Sequence, residues 1–318
     1  MPETELIRKL FAADRIAVAK AISSVENQDE HHLELLNSIQ SHLGNAYRVG
    51  ITGPPGAGKS TLVSKLAKYL NDKGSRVGII AVDPTSPFTG GALLGDRVRM
   101  IELSSRPGIF VRSMATRGSL GGLSKTTQLA ADVLDAAGYD FVFLETVGVG
   151  QSELDIVEAA DTTIVVLTPE SGDSVQAMKA GLMEIADLFV LNKADRPGVD
   201  QSCNALLTML QIARSDIGRP VDGITWTPYV VKTVASEGRG IDEVAGGVDK
   251  HRRFLTETRK LASKRKERFR RIVLDIVGEN LQKIFWTEDR LSKLDHKLEL
   301  VVANKLSAIQ LAEELVND

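Results

Sequence analysis

From residue 53 the chain reads Gly53-Pro54-Pro55-Gly56-Ala57-Gly58-Lys59-Ser60-Thr61, directly after the apolar run Tyr47–Ile51 and directly before a helical pattern. This is the spacing GxxxxGK[ST] in a strand–loop–helix setting. Glycines so spaced let backbone N–H groups turn toward one anionic centre. The N-terminus of the following helix adds the positive end of its dipole. Lys59 supplies a point charge for the outer phosphates of a nucleotide, and the Ser60 hydroxyl suits Mg²⁺. The chemistry implied is phosphoryl transfer, which depends on positioning and charge neutralisation more than on a strong nucleophile.

A second element, Asn192-Lys193-Ala194-Asp195, ends the apolar run Leu188–Leu191. A carboxylate at Asp195 can accept two hydrogen bonds from the guanine N1–H and exocyclic amine, a donor pair that adenine lacks. The Lys193 stem can pack on the base plane. Alone, four such residues read equally well as a helix N-cap. Downstream of a phosphate loop and at a strand end, they favour GTP over ATP. A third base-contacting loop is expected at Thr233–Gly240. GTPases usually place Ser or Thr just before the Ala of this loop. Val234 stands there, so side-chain support is expected to be lost, leaving the backbone of Ala235 and Ser236.

Acidic residues follow two further apolar runs: Asp83 after 77–82 and Glu145 after 141–144. Carboxylates at such strand ends can hold Mg²⁺, directly or through its waters, or orient an attacking water. Asp96 lies in a Gly-rich stretch that could close over the phosphates. For each of these the bland alternative is a helix cap or a surface charge. Gly148-Val-Gly150-Gln151 is the expected γ-phosphate switch, because glycines supply φ freedom and an amide N–H supplies a state-dependent contact. Gln151 resembles a water-positioning glutamine. The stretch 117–124, rich in Gly and Ser, reads equally as an ordinary turn or as a ligand or partner contact.

These loops need a frame. Short apolar runs at Tyr47–Ile51, Val77–Val82, Ile109–Val111, Phe141–Leu144, Thr163–Leu167, Leu188–Leu191 and Tyr229–Val231 alternate with helical patterns. Several are apolar at nearly every position, as in strands covered on both faces. The predicted class is α/β, a doubly wound, mostly parallel sheet that binds ligands at the carboxyl ends of its strands. Residues 1–44 predict two or three amphipathic helices forming an N-terminal arm. Residues 45–250 predict the core, and residues 251–318 a helical extension. Its two apolar stripes look too extensive for one protomer to cover and favour a homodimer seam.

Composition excludes other classes. Among 318 residues, 39 Lys+Arg face 42 Asp+Glu, a net charge of −3, which argues against a dedicated nucleic-acid binder. No apolar run approaches a membrane span, so no membrane partner is expected. The single cysteine, Cys203, rules out an internal disulfide and a Cys-based zinc site. The expected setting is cytoplasmic, or the mitochondrial matrix in a eukaryote. The five histidines look dispersed or solvated.

The chain resembles the MeaB/ArgK/MMAA group of P-loop GTPases, chaperones of adenosylcobalamin-dependent acyl-CoA mutases. The resemblance rests on GPPGAGKST (53–61), VDPTSPFTGGALLGDRVRM (82–100), ATRGSLGGLSKTT (115–127), ETVGVGQSE (145–153), PESGDSVQAMKAGLMEIAD (169–187) and NKAD (192–195). It implies a GTPase core with helical extensions, a homodimer through the C-terminal helices, and slow GTP hydrolysis to GDP that a partner mutase accelerates. It implies that GTP use gates cofactor loading and protection of that mutase, most often methylmalonyl-CoA mutase. By the resemblance, Ser60, Asp83, Asp96 and Glu145 surround Mg²⁺ and the γ-phosphate. Likewise Asp173, Gln176 and Lys179 form an additional switch that reorients on partner binding. The departures are Val234 and Thr85, the latter in place of the more usual Ser. Two other readings stay open: a nickel-delivery GTPase, which should carry a His-rich or Cys-containing motif, and a small-molecule kinase of the ArgK type.

Overall fold

The computed structural model describes residues 3–83, 103–115, 125–146, 152–169, 181–216 and 225–317. Asp96, Gly148, Gly150, Gln151, Asp173, Gln176 and Lys179 lie outside the described residues, as do Thr85 and the whole stretch 117–124. Among the described residues seven parallel strands form one sheet: β1 Tyr47–Thr52, β2 Val77–Asp83, β3 Ile109–Ala115, β4 Phe141–Glu145, β5 Thr162–Leu167, β6 Leu188–Leu191 and β7 Val230–Lys232. Their order is β3-β2-β4-β1-β5-β6-β7. The chain leaves β1 for one side of the sheet and later crosses to the other, so the winding reverses beside β1. In open α/β sheets the carboxyl end of such a reversal is where ligands bind.

Both faces are covered, as the unbroken apolar runs require. On one face Leu62, Val63 and Leu66 of the helix Lys59–Asp72, with Val244 and Val248 of the helix Ile241–Glu257, pack on Val49, Ile51 and Ile79. On the other, the helices Lys125–Ala136 and Ser152–Ala159 pack on Ile80, Val82, Val142 and Leu144. This second core also takes in the N-terminal helices Glu3–Phe11, Arg15–Asn27 and His32–Ile39 through Leu10, Val18, Ile22, Val25, Leu35 and Ile39. Asp14 starts the middle one, its carboxylate accepting from Ala17 N–H at 2.9 Å.

The linker into β1 is tied from two sides. The Asp135 carboxylate accepts from the N–H groups of Gly44, Asn45 and Ala46 at 2.7, 3.0 and 2.8 Å. Arg265 donates to the carbonyls of Gly44 and Ala46. Beneath the linker, Arg48 is buried and paired with Asp132, while its backbone N–H donates to Asp161 at 2.9 Å.

β3 runs to Ala115, past the expected Ile109–Val111. Arg112 broke the apolar pattern there, yet it sits on the face that meets the helix Arg15–Asn27 and pairs with Glu26. The chain divides into two compact units, Met1–Arg265 and Lys266–Asp318. In the second, helices Glu288–Val302 and Ala308–Asn317 pack through Leu311 and Leu315 and the Lys297–Glu314 pair. Along the helix Lys260–Phe285, Phe269, Val273, Val277, Leu281 and Ile284 form an exposed stripe at spacings of three and four. No helix among the described residues is long and apolar enough to cross a membrane.

Candidate functional site

The loop Gly53–Gly58 joins the central strand β1 to the helix Lys59–Asp72, at the carboxyl edge of the sheet. Its glycines are required by φ and by space. Gly53 has φ +136°, and a Cβ there would lie 2.1 Å from the Val166 carbonyl oxygen. Gly58 has φ +93°, and a Cβ there would lie 2.3 Å from Asn192 Nδ2. Both positions select glycine on backbone conformation alone. Lys59 is buried, and its ammonium curls back over the loop to donate to the carbonyls of Gly53 at 2.7 Å and Pro54 at 3.1 Å. Pro54, Pro55 and Gly56 form the outer turn of the loop, and Thr61 continues the helix.

Two expected residues meet directly. Ser60 Oγ donates to Glu145 Oε1 at 2.6 Å, and Glu145 is buried. The register explains the meeting: Glu145 closes β4 opposite Ile51 of β1, so it reaches the start of the phosphate-loop helix. One residue on, Thr146 Oγ1 donates to Thr52 Oγ1 at 2.9 Å, which ties the end of β4 to the root of the loop. Asp83 ends β2, and Ala81 of that strand pairs with Glu145 of β4. The ends of β2, β4 and β1 are thus adjacent. Ser60 and Glu145 are hard oxygen donors, the type that Mg²⁺ takes. Among the described residues, no group of three His, Cys, Asp or Glu side chains converges as a metal site.

Asn192 joins the loop Gly53–Gly58 to the loops expected to meet the base. It is buried, and its Nδ2 donates to the Ala57 carbonyl at 2.8 Å. Its Oδ1 accepts from Thr233 Oγ1 and from Ala235 N–H, each at 3.0 Å. The side chain is therefore not a helix N-cap. Next to it, Lys193 adopts φ +58°, which turns the chain sharply at the end of β6. Asp195 is exposed at the same strand end. Ala235 is buried and Ser236 exposed, in a short 3₁₀ turn over Ala235–Glu237.

Thr233 is the residue that sequence reasoning missed. Support expected from the position of Val234 comes one residue earlier, from the buried Thr233 hydroxyl. The signal was available, since Thr233 is a hydroxyl residue at the end of a strand. Val234 instead packs inward and forms a bridge with Arg239 across the turn.

His251, read as one of several dispersed histidines, is buried on the helix Ile241–Glu257. Its Nδ1 lies 2.8 Å from Thr162 Oγ1, which in turn lies 2.6 Å from the Tyr47 hydroxyl. Nε2 lies 3.4 Å from Asp187. Burial lowers the imidazole pKa against the opposing pull of Asp187. This chain sits near the start of β1 and β5, at the opposite end of the strands from the phosphate loop.

Residues 18–290 match the family model described as methylmalonyl-CoA mutase-associated GTPase MeaB. A Pyrococcus horikoshii protein named as a GTPase is 49% identical over 312 residues, covering 98% of this chain and 96% of its own. The mouse protein named methylmalonic aciduria type A homolog, mitochondrial, is 34% identical over 298 residues, covering 87% and 70%. The crystal structure described as LAO/AO transport system kinase superposes with a TM-score of 0.73 at 30% identity, over 99% of this chain and 96% of that one.

Proposed function

The chain belongs to the MeaB family of methylmalonyl-CoA mutase-associated GTPases, P-loop proteins that bind and hydrolyse GTP. From that premise we propose that it is a GTP-dependent chaperone. It gates cofactor loading and protection of an adenosylcobalamin-dependent acyl-CoA mutase, methylmalonyl-CoA mutase above all. The observation that carries the nucleotide part is Asn192, whose side chain holds the phosphate loop at Ala57 and the base-side loop at Ala235 in one frame. The client is supported by the family match, which runs from the N-terminal helices into the C-terminal ones.

In this reading backbone N–H groups of Gly53–Gly58 cradle the phosphates, and the Lys59 ammonium swings from the loop carbonyls to the β- and γ-phosphate oxygens. Ser60 and Glu145 would hold Mg²⁺ together with Asp83 and Asp96; bound there, the ion neutralises charge on the β- and γ-phosphate oxygens. Asn192, Lys193 and Asp195 take the guanine, with the Ala235–Ser236 turn beside it. Gly148, Gly150 and Gln151 sense the γ-phosphate, and Asp173, Gln176 and Lys179 reorient on the partner. Water attacks the γ-phosphorus, the bond to the β–γ bridging oxygen breaks, and the water proton passes to the released phosphate. Phosphoryl transfer rests on positioning and charge neutralisation, so in this reading turnover alone is slow and a group supplied by the partner raises it.

The exposed stripe Phe269–Ile284 supports a homodimer through the second unit. Phosphate release measured with GTP and with ATP, alone and with a purified acyl-CoA mutase, tests the whole reading. The expected result is GTP-dependent release that the mutase stimulates. A phosphorylated small-molecule acceptor, or equal use of ATP, would overturn it.

A further inference from the structure

The sheet ends on β3, which among the described residues has one strand neighbour, β2. Parallel pairing uses alternate residues of an edge strand. Val77 N–H donates to the Gly108 carbonyl at 2.8 Å, and Val77 lies opposite Ile109. The backbone groups of Phe110, Arg112 and Met114 therefore point to β2, and those of Ile109, Val111 and Ser113 point outward. Ile109 is already used: its N–H donates to Arg106 O at 3.3 Å, and its carbonyl accepts from Arg15 Nη1 at 3.4 Å. The outward groups of Val111 and Ser113 have no partner among the described residues.

A groove of about 670 Å³ runs beside this edge. The helix Arg15–Asn27 forms its other wall and follows β3, with Arg15 meeting Ile109 at one end and Ser23 meeting Arg112 at 3.1 Å further along. Ile16 and Ala19 make the wall apolar, and Ile16 is 67% exposed. Arg15 and Lys20 stand on the rim without an ion pair among the described residues; Arg112 is neutralised by Glu26, and Asp29, which also lines the groove, is occupied in accepting from Ser24 Oγ and His31 N–H. Natural sheet edges are usually blunted by proline, bulges or cover. The sequence Ile109–Ala115 has no proline.

We propose that this edge docks a partner protein, which adds an extended acidic segment to β3 as a further strand. Its backbone pairs with Val111 and Ser113, an apolar side chain rests against Ile16, and its carboxylates face Arg15 and Lys20. Charge selects this occupant over a second copy of the chain. β3 carries Arg112 and no acid, so pairing with its own copy would offer no carboxylate to the cationic rim. The proposal does not depend on the identity of the nucleotide or the client.

The test uses the full chain and two blocked, fluorescent heptapeptides, Glu-Thr-Val-Thr-Glu-Thr-Val and its Lys-for-Glu counterpart, in which the charged and apolar side chains share one face. The Glu/Val probe should bind below about 1 mM and about tenfold more tightly than the Lys/Val probe. Val111→Pro removes an outward N–H while sparing the ladder to β2. It should weaken the Glu/Val probe about tenfold and leave the melting temperature and GTP turnover unchanged. Lys20→Glu, on an exposed helix position, should abolish the preference between the probes, because the introduced carboxylate offsets Arg15. The proposal is overturned if the unmodified chain binds neither probe at that concentration, if it does not discriminate them, or if folded Val111→Pro binds like the parent. A loss of self-association on Val111→Pro, seen by sedimentation, would also overturn it, because the edge would then serve a second copy.

Discussion

Asn192 shows how much one side chain can decide. Its amide meets three partners on two loops, and each is a group that would otherwise be buried without a bond. Asn192→Ala should cost about 2–3 kcal/mol of stability and lower GTP affinity, read by urea denaturation and nucleotide titration. Thr233 is its nearest support. Thr233→Val should weaken guanine nucleotides several-fold while Thr233→Ser keeps affinity near the parent, because only the hydroxyl reaches Asn192. Loss in Thr233→Ser with Thr233→Val near the parent would show that the methyl group, not the hydroxyl, matters. In the site itself, Asp195→Asn should relax the preference for GTP over ATP, measured by competition binding; unchanged selectivity would remove Asp195 from the base pocket.

Elements set where such residues can sit. Gly50 in β1 is approached so closely by the helix Ser152–Ala159 that a Cβ there would lie 2.6 Å from Ile156 Cγ1. Gly50→Ala should therefore cost about 1–3 kcal/mol, and it should also disturb the adjoining phosphate loop; thermal unfolding with and without GTP separates the two effects. At the other end of the strands His251 couples stability to pH. Burial holds its folded pKa below the ordinary imidazole value. Above about pH 6.5 the imidazole is neutral in both folded and unfolded chains and no penalty arises. As pH falls below that, the unfolded chain takes up a proton that folded His251 refuses, so stability drops until the folded group titrates too. Urea unfolding at about pH 7.5 and about pH 5.5 should show this loss, and His251→Gln should reduce the difference between the two conditions.

At the scale of the whole molecule, the N-terminal helices are part of the core, since Leu10, Ile22 and Leu35 share one buried cluster with strands β2 and β3. Their tether, Asp135 and Arg265 around Gly44–Ala46, lies over the buried Arg48–Asp132 pair. Arg48→Met would leave Asp132 buried without its cation and should cost about 3–5 kcal/mol, detectable as a lower denaturation midpoint. The second unit keeps an apolar stripe outside. Leu281→Glu, at a position 60% exposed, should leave the fold intact and convert a dimer to a monomer in sedimentation.

The amino-acid sequence by itself determined the class of sheet, the approximate place of each strand and the loops proposed to carry the phosphate and base chemistry. It could do so because a buried parallel strand must be apolar on both faces, and a phosphate loop requires glycine at fixed positions. Tertiary structure alone decided which residues complete those loops. Thr233 reaches Asn192 only because β6 and β7 are neighbours, and Glu145 reaches Ser60 only because β4 lies in register with β1. It also decided that Arg112 belongs to a strand and that His251 is buried. Both are polar residues whose placement depends on distant partners, Glu26 and Thr162, and one-dimensional patterns hold no record of such pairings.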